Sequence, residues 1–262
     1  HKAIAVNLSD IAAMGGTPRY LYLGVACPAE TEAEELEAFL AGALAEAAEH
    51  GAVLVGGDTC RSPGPWVLSL TIEGSAPVGQ AVGRDGAEPG DILMVSGPLG
   101  DSALALKLLD NDELPEEGLL KRHHQPTPRV GLGLRLAELG LAKAMIDISD
   151  GLASDLLHIL QESGVDAMIE LNQLPQSDLF KRHASKNHEL LHLPLHGGED
   201  YELLFSVAPQ RANEAIALGK TMGVAVSAIG VLSHGTGTAL GRNAQGEIRP
   251  LAARGFDHFS LG

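Results

Sequence analysis

The sequence predicts an α+β or α/β protein of two domains, each a mixed sheet backed by helices. Three observations carry this. Short apolar runs of strand length alternate with longer amphipathic runs of helical spacing in both halves of the chain. The 262 residues suffice for two domains of ordinary size. The polar, acidic stretch Asp110 to Gly118 contains Pro115 and little that could be buried, so it reads as a connection. The predicted domains are therefore 1–110 and 111–262. No tandem repeat is present.

Lys2 to Met14 reads as a helix, because Ile4, Leu8, Ile11 and Ala12 fall on one face and Gly15-Gly16 then Pro18 end it. Asn7 and Asp10, three apart, project from one side of it. Tyr20 to Ala26 is an apolar strand. Thr31 to His50 is an acidic, alanine-rich helix closed by Gly51. Ala52 to Val55 is a short buried strand that stops at Gly56-Gly57-Asp58-Thr59, and Val67 to Glu73 alternates as a strand. Turn residues from Arg84 to Asp91 precede a strand from Ile92 to Val95. Gly97 to Gly100 is a loop, and Ser102 to Leu109 a helix.

In the second half, Arg122 to Arg129 leads into an amphipathic helix ending at Leu139. Ala144 to Ile146 is a buried strand end. Leu152, Leu156, Ile159 and Leu160 follow at helical spacing, with Ser149 or Asp150 available as a cap. Asp166 to Leu171 is a strand, and Ser177 to Glu189 a polar surface helix and loop. Tyr201 to Val207 is a strand, Pro209 to Met222 a helix, and Val224 to Leu232 a strand. His234 to Gly246 is glycine-rich and loop-like. The chain opens on His1 directly into a helix without a cap, which predicts that further natural sequence precedes it.

Composition narrows the function. The formal net charge is −16, which repels a nucleic-acid backbone, and aromatics make up only 3% of residues, too few for base-stacking platforms. No apolar run reaches the length of a membrane span and no signal peptide is visible. Cys27 and Cys60 match no metal spacing and suit the reducing cytoplasm. Such an acidic chain binds a nucleotide through metal ions and backbone N–H groups.

Four acidic sites occur in related settings. Asp10 stands on a helix face. Asp58 follows two glycines. Asp147 and Asp150 flank Ser149 at a strand-to-helix junction. Glu199 and Asp200 follow a second glycine pair. Carboxylates at such junctions suit Mg²⁺, which takes a few protein oxygens beside substrate phosphates, and a helix start favours anions at the same place. Glycine lets the backbone approach a ligand closely. Together these sites predict a magnesium centre holding a polyphosphate. Arg61 and Arg84, each beside a turn, could pair with phosphate. No P-loop, nucleophile elbow or HExxH spacing competes, and most of the eleven histidines, His123 and His124 among them, read as surface residues.

Five motifs occur in order: Val6-Asn-Leu-Ser-Asp-Ile-Ala-Ala-Met-Gly-Gly16, Gly56-Gly-Asp-Thr59, Arg84 to Asp91, Ile146-Asp-Ile-Ser-Asp-Gly-Leu152 and Gly197-Gly-Glu-Asp-Tyr-Glu-Leu203. Their combination resembles the thiamine-monophosphate kinases of the aminoimidazole-ribonucleotide-synthetase-like superfamily. The likeness runs from His1 to the closing Gly-Phe-Asp-His-Phe. It implies Mg-assisted, direct phosphoryl transfer from ATP to thiamine monophosphate in a cytoplasmic homodimer joined through N-terminal sheets. It further implies Asp10, Asp58, Asp147 and Asp150 as Mg²⁺ ligands. By the same likeness Gly57, Asp58, Arg84 and Ser149 contact ATP, and Glu199 and Phe256 contact the thiamine substrate. A carboxylate and an aromatic ring suit a thiazolium cation and a flat pyrimidine. The family carries an upstream segment with an Asp-Asp pair. The chain as it stands, beginning at His1, is therefore expected to be weakly active or inactive. The alternatives are another ATP-using superfamily enzyme, such as a selenophosphate-synthetase-like one, or a non-catalytic nucleotide-binding module.

Overall fold

The computed structural model describes residues 1–252. Helix α1 (Lys2–Ala13) buries Ile4, Leu8 and Ala12 completely, four residues apart on one stripe. It turns at Gly15-Gly16 into β1 (Thr17–Cys27). After α2 (Ala33–Glu49), whose start carries a Glu32–Glu35 capping box, come β2 (Val53–Arg61) and β3 (Val67–Ser75). These form a three-stranded sheet in the order β2-β1-β3, with β1 parallel to β2 and antiparallel to β3.

The remaining elements build a second layer. They are β4 (Ile92–Ser96), α3 (Asp101–Asp110), α4 (Glu117–His124), α5 (Val130–Glu138), β5 (Ala144–Asp147), α6 (Leu152–Ser163), β6 (Val165–Glu170), α7 (Asp178–Ala184), α8 (Leu193–His196), β7 (Leu203–Val207), α9 (Ala212–Thr221), β8 (Val226–His234), β9 (Ala239–Arg242) and β10 (Ile248–Pro250). Among the described residues they give a seven-stranded mixed sheet in the order β10-β9-β6-β8-β4-β7-β5.

One core lies between the two sheets. In it α1 packs with Leu21 of β1, Met94 of β4, Phe205 of β7 and Leu136 of α5. A second core covers the opposite face of the larger sheet, where Leu93, Val95, Ile146 and Leu204 meet Leu156 and Ile159 of α6. Burying one such leucine or isoleucine contributes about 1.5–3 kcal/mol, so α1 is fixed firmly between the sheets. That position carries Ser9 and Asp10 to the end of β5.

The structure corrects several expectations. The expected N-terminal domain includes residues 92–110, but β4 hydrogen-bonds to β7 on one side and β8 on the other, inside the larger sheet. A strand buried on both faces reads as a continuous apolar run, and Ile92 to Val95 is one. The sheets change between Ser75 and Ile92, and the polar stretch near 110–118 only links α3 to α4. Strand β2 does not stop at Gly56; it continues through Gly57 and Asp58 to Arg61, and it is largely exposed rather than buried. Alanine-rich α2 leaves one side of the small sheet covered. The other side presents Tyr20, Tyr22, Val53, Val55 and Val67, each more than a third exposed. Helix α4 includes residues expected in a loop, and β9 emerges from the glycine-rich stretch.

Candidate functional site

Strand β5 ends on Asp147, which is almost fully buried where α1 crosses. Burial pushes its carboxyl up to about 6. The Ser9 hydroxyl lowers it, the negative charge of Asp10 raises it further, and Arg84 lowers it. The Ser9 oxygen is fully buried and faces Asp147 without reaching full hydrogen-bond geometry, so it stands unsatisfied. Asp10 reaches solvent, yet the surrounding protein desolvates it enough to raise its carboxyl, with Arg84 opposing. Two carboxylates raised above their ordinary range, a buried hydroxyl and one arginine thus share this junction.

Two loops close around it. Residues 148–151 carry Ser149 and exposed Asp150. The expected cap from Ser149 or Asp150 is absent. Instead Asp155, one turn into α6, accepts the backbone N–H groups of Ser149, Asp150 and Gly151 on one oxygen at 3.0–3.1 Å. Burial raises the Asp155 carboxyl to about 7; the N–H of Asp150 opposes this, and the charges of Asp150 and Asp147 add to it. Residues 199–202 run beside this loop. The Glu199 N–H donates to the Ser149 carbonyl at 2.8 Å, the Tyr201 N–H to Ile148 at 2.9 Å, and the Ile148 N–H to Glu202 at 2.8 Å. Glu199 is held by Lys2 at 3.0 Å and by His123 at 3.4 Å. Tyr201 is desolvated, and Glu199, Asp147, Asp150 and Asp10 all act on it, so its hydroxyl is pushed well above the usual range.

Asp10, Asp147, Asp150, Arg84, Ser149 and Glu199 are therefore brought to one region. Asp58 and Gly57 share no contact with these residues among those the structure describes. They lie on exposed β2, beside a groove between that strand and α2 that includes Val25 and Leu40. Among the described residues Asp58 accepts the N–H of Thr59 and no other hydrogen bond. Gly57 is needed for strand packing, because a Cβ there would lie 2.0 Å from the Leu23 carbonyl oxygen. Asn7 turns back to the Ala3 carbonyl instead of joining Asp10. Phe256 lies outside the described residues.

Sequence reasoning misses Asp155, Tyr201, Lys2 and His123. An acid in the first turn of α6 is a visible helix-dipole signal. His123, expected at the surface, is buried and shares a hydrogen bond with Ser102 at 3.0 Å.

The donors at the junction are hard oxygens, and the unsatisfied Ser9 hydroxyl beside the Asp10 and Asp147 carboxylates fits a divalent cation. Among the described residues no three carboxylate, imidazole or thiol groups converge on one point. A Mg²⁺ ion held by one or two carboxylates here would have to take its other oxygens from phosphate and water.

Comparisons with known proteins identify the family. Residues 1–76 match the model of the AIR synthase related protein N-terminal domain, and residues 88–242 match that of the C-terminal domain. Thiamine-monophosphate kinase of Salmonella typhimurium is 41% identical over 99% of this chain and 79% of its own length. The crystal structure of thiamine-monophosphate kinase from Stenotrophomonas maltophilia superposes with a TM-score of 0.86 at 39% identity, covering 94% of this chain and 78% of that one. AaThiL complexed with AMPPCP and TMP gives 0.85 at 32% identity, covering 98% and 79%. This chain belongs to the thiamine-monophosphate kinase family.

Proposed function

We propose that the protein phosphorylates thiamine monophosphate to thiamine diphosphate with ATP. The observation that carries this is the buried Asp147 facing Asp10 beside Arg84, in a fold shared with a relative complexed with AMPPCP and TMP. Asp10 and Asp147 would hold Mg²⁺, with Asp150 at the exposed edge. Bound there, the ion would neutralise charge building on the transferred phosphoryl group. Arg84 offers its guanidinium to the phosphates. Ser149 presents its hydroxyl and backbone beside them. Glu199 offers a carboxylate to the thiazolium cation, in place of the Lys2 ammonium it holds now. Phe256 belongs to the same acceptor side in this reading. Transfer is direct in this reading, and the chain's task is to position two phosphates in line. The test uses the full-length gene product with ATP labelled in its γ-phosphate, Mg²⁺ and thiamine monophosphate. Label should appear in thiamine diphosphate. Binding of ATP without any transfer would favour the non-catalytic module instead.

Gly57 and Asp58 serve the nucleotide from the groove on β2 in this reading. Asp58→Asn is then expected to weaken Mg·ATP binding at least about 10-fold while leaving the melting temperature unchanged, since the side chain is exposed. Calorimetry checks this; unaltered affinity would remove Asp58 from the site.

We place the protein in the cytoplasm as a homodimer. Among the described residues no helix is long and apolar enough to cross a membrane. The bare outer face of the small sheet, with its two tyrosines and three valines, supports pairing with a second copy, since a patch of this kind marks an interaction surface. The double variant Tyr22→Lys, Val53→Lys should convert a dimer to a monomer by light scattering. A dimer that persists would move the interface elsewhere.

A further inference from the structure

We propose that Arg122 and Arg129 are positioning residues: through Glu202 they fix Glu199 and Tyr201 where the acceptor substrate is bound. The inference rests on the reading of Glu199 as the acceptor-side carboxylate, and it starts from backbone strain. Glu199 and Tyr201 have φ of 63° and 49°, in the left-handed region that residues with side chains rarely occupy. Two such residues separated by one persist only if the surroundings over-determine them.

The surroundings do so through the residue between them and the residue after them. Asp200 accepts the Gly100 N–H on its two oxygens at 2.9 and 3.1 Å. Glu202, with no exposure at all, accepts four hydrogen bonds. Arg129 donates Nε and Nη2 at 2.6 Å each, Arg122 donates Nη2 at 2.7 Å, and the Ser96 hydroxyl donates at 2.6 Å. Ser96 also accepts the Leu203 N–H at 2.8 Å. Space is as restricted as polarity: Gly97 lies so close that a Cβ would stand 2.0 Å from Glu202 Oε1.

A buried ion pair is poor evidence for a purely stabilising role, because apolar residues of equal volume usually do as well. What the two-pronged Arg129 contact supplies is orientation. It sets the Glu202 carboxylate and with it the direction of the preceding three residues. The backbone bonds from 199 and 201 to Ser149 and Ile148 pass that direction to the acidic loop. Burial alone would favour the neutral acid, yet the Arg129 contact and the charges of Arg129 and Arg122 hold Glu202 below its ordinary value.

Arg129→Lys keeps the charge and removes the fork. In the full-length gene product it should raise the KM for thiamine monophosphate about 10-fold, as a small misplacement of binding groups does. The KM for ATP should move less than about two-fold, and amide exchange over residues 198–202 should accelerate. Unchanged KM for the acceptor in the folded variant would overturn the proposal, whatever the exchange does, because that is what a structural role alone gives. If Arg129→Lys does not fold, Ser96→Ala removes one of the four bonds and is read the same way. Failure of the wild type to phosphorylate thiamine monophosphate would defeat the reading of the site. In that case faster exchange in the variant would uphold only the fork's hold on the backbone of residues 198–202.

Discussion

Asp147→Asn should make the metal-free protein more stable at pH 7 and nearly inactive with metal present. The two effects have one cause. The folded protein raises this carboxyl from 3.8 to about 6, chiefly by burial. A raised acid holds its proton more tightly when folded than when unfolded. Its cost to stability is therefore absent below pH 4, grows between pH 4 and 6, and is complete above. A shift of this size corresponds to about 3 kcal/mol as an upper bound. Asparagine removes that cost. The metal-free melting temperature at pH 7 should rise by about 5 °C, and its fall from pH 4 to 6 should flatten. Asp155, raised from 3.8 to about 7, leaves a residual slope across pH 4 to 7, so the flattening is partial. Activity should fall about 10²–10³-fold, the usual loss when a group that stabilises developing charge is removed. Scanning calorimetry with the metal chelated, across pH 4–8, checks the first half. A melting temperature that drops in the variant would show that Asp147 is an ordinary stabilising contact.

Glu202→Ala should destabilise the protein more than any of the other substitutions proposed above. It leaves Arg122 and Arg129 mostly buried without their carboxylate and opens a void at the centre of three loops. Breaking a buried ion pair by removing one partner costs about 3–5 kcal/mol, a large part of the stability of a typical domain. The urea midpoint should fall accordingly. Glu202→Gln keeps the shape and two acceptor sites, so it should lose less. Equal, small losses in both variants would mean that the arginines find other partners and that Glu202 holds nothing in place.

Much of the fold is legible in the chain. Ile4, Leu8 and Ala12 announce α1, and Ile92 to Val95 announces a buried strand. What that run cannot announce is which sheet it joins, since an apolar run is a central strand in either. Gly56-Gly57 looks like a turn because glycine usually marks one. Here it allows β2 to lie flush against β1, a use visible only once Leu23 is opposite. The acids at 10 and 147 and the arginine at 84 stand out in the sequence, and folding brings them together. Lys2, His123, Asp155 and Tyr201 do not, because each acquires its role from a partner far away in sequence or from a loop whose shape is set elsewhere. Glu202 sits inside a motif but shows no task of its own there, since nothing local reveals that two arginines 73 and 80 residues upstream will meet on it.

Asp10 and Asp147 are proposed to grip a divalent cation that carries a nucleotide. Crystals of the full-length protein grown with Mn²⁺ and AMPPCP measure this directly through anomalous scattering. The expected map has a peak within coordination distance of both carboxylates, with phosphate oxygens and Arg84 beside it. Phosphates bound away from this junction, with no metal between the two acids, would contradict it.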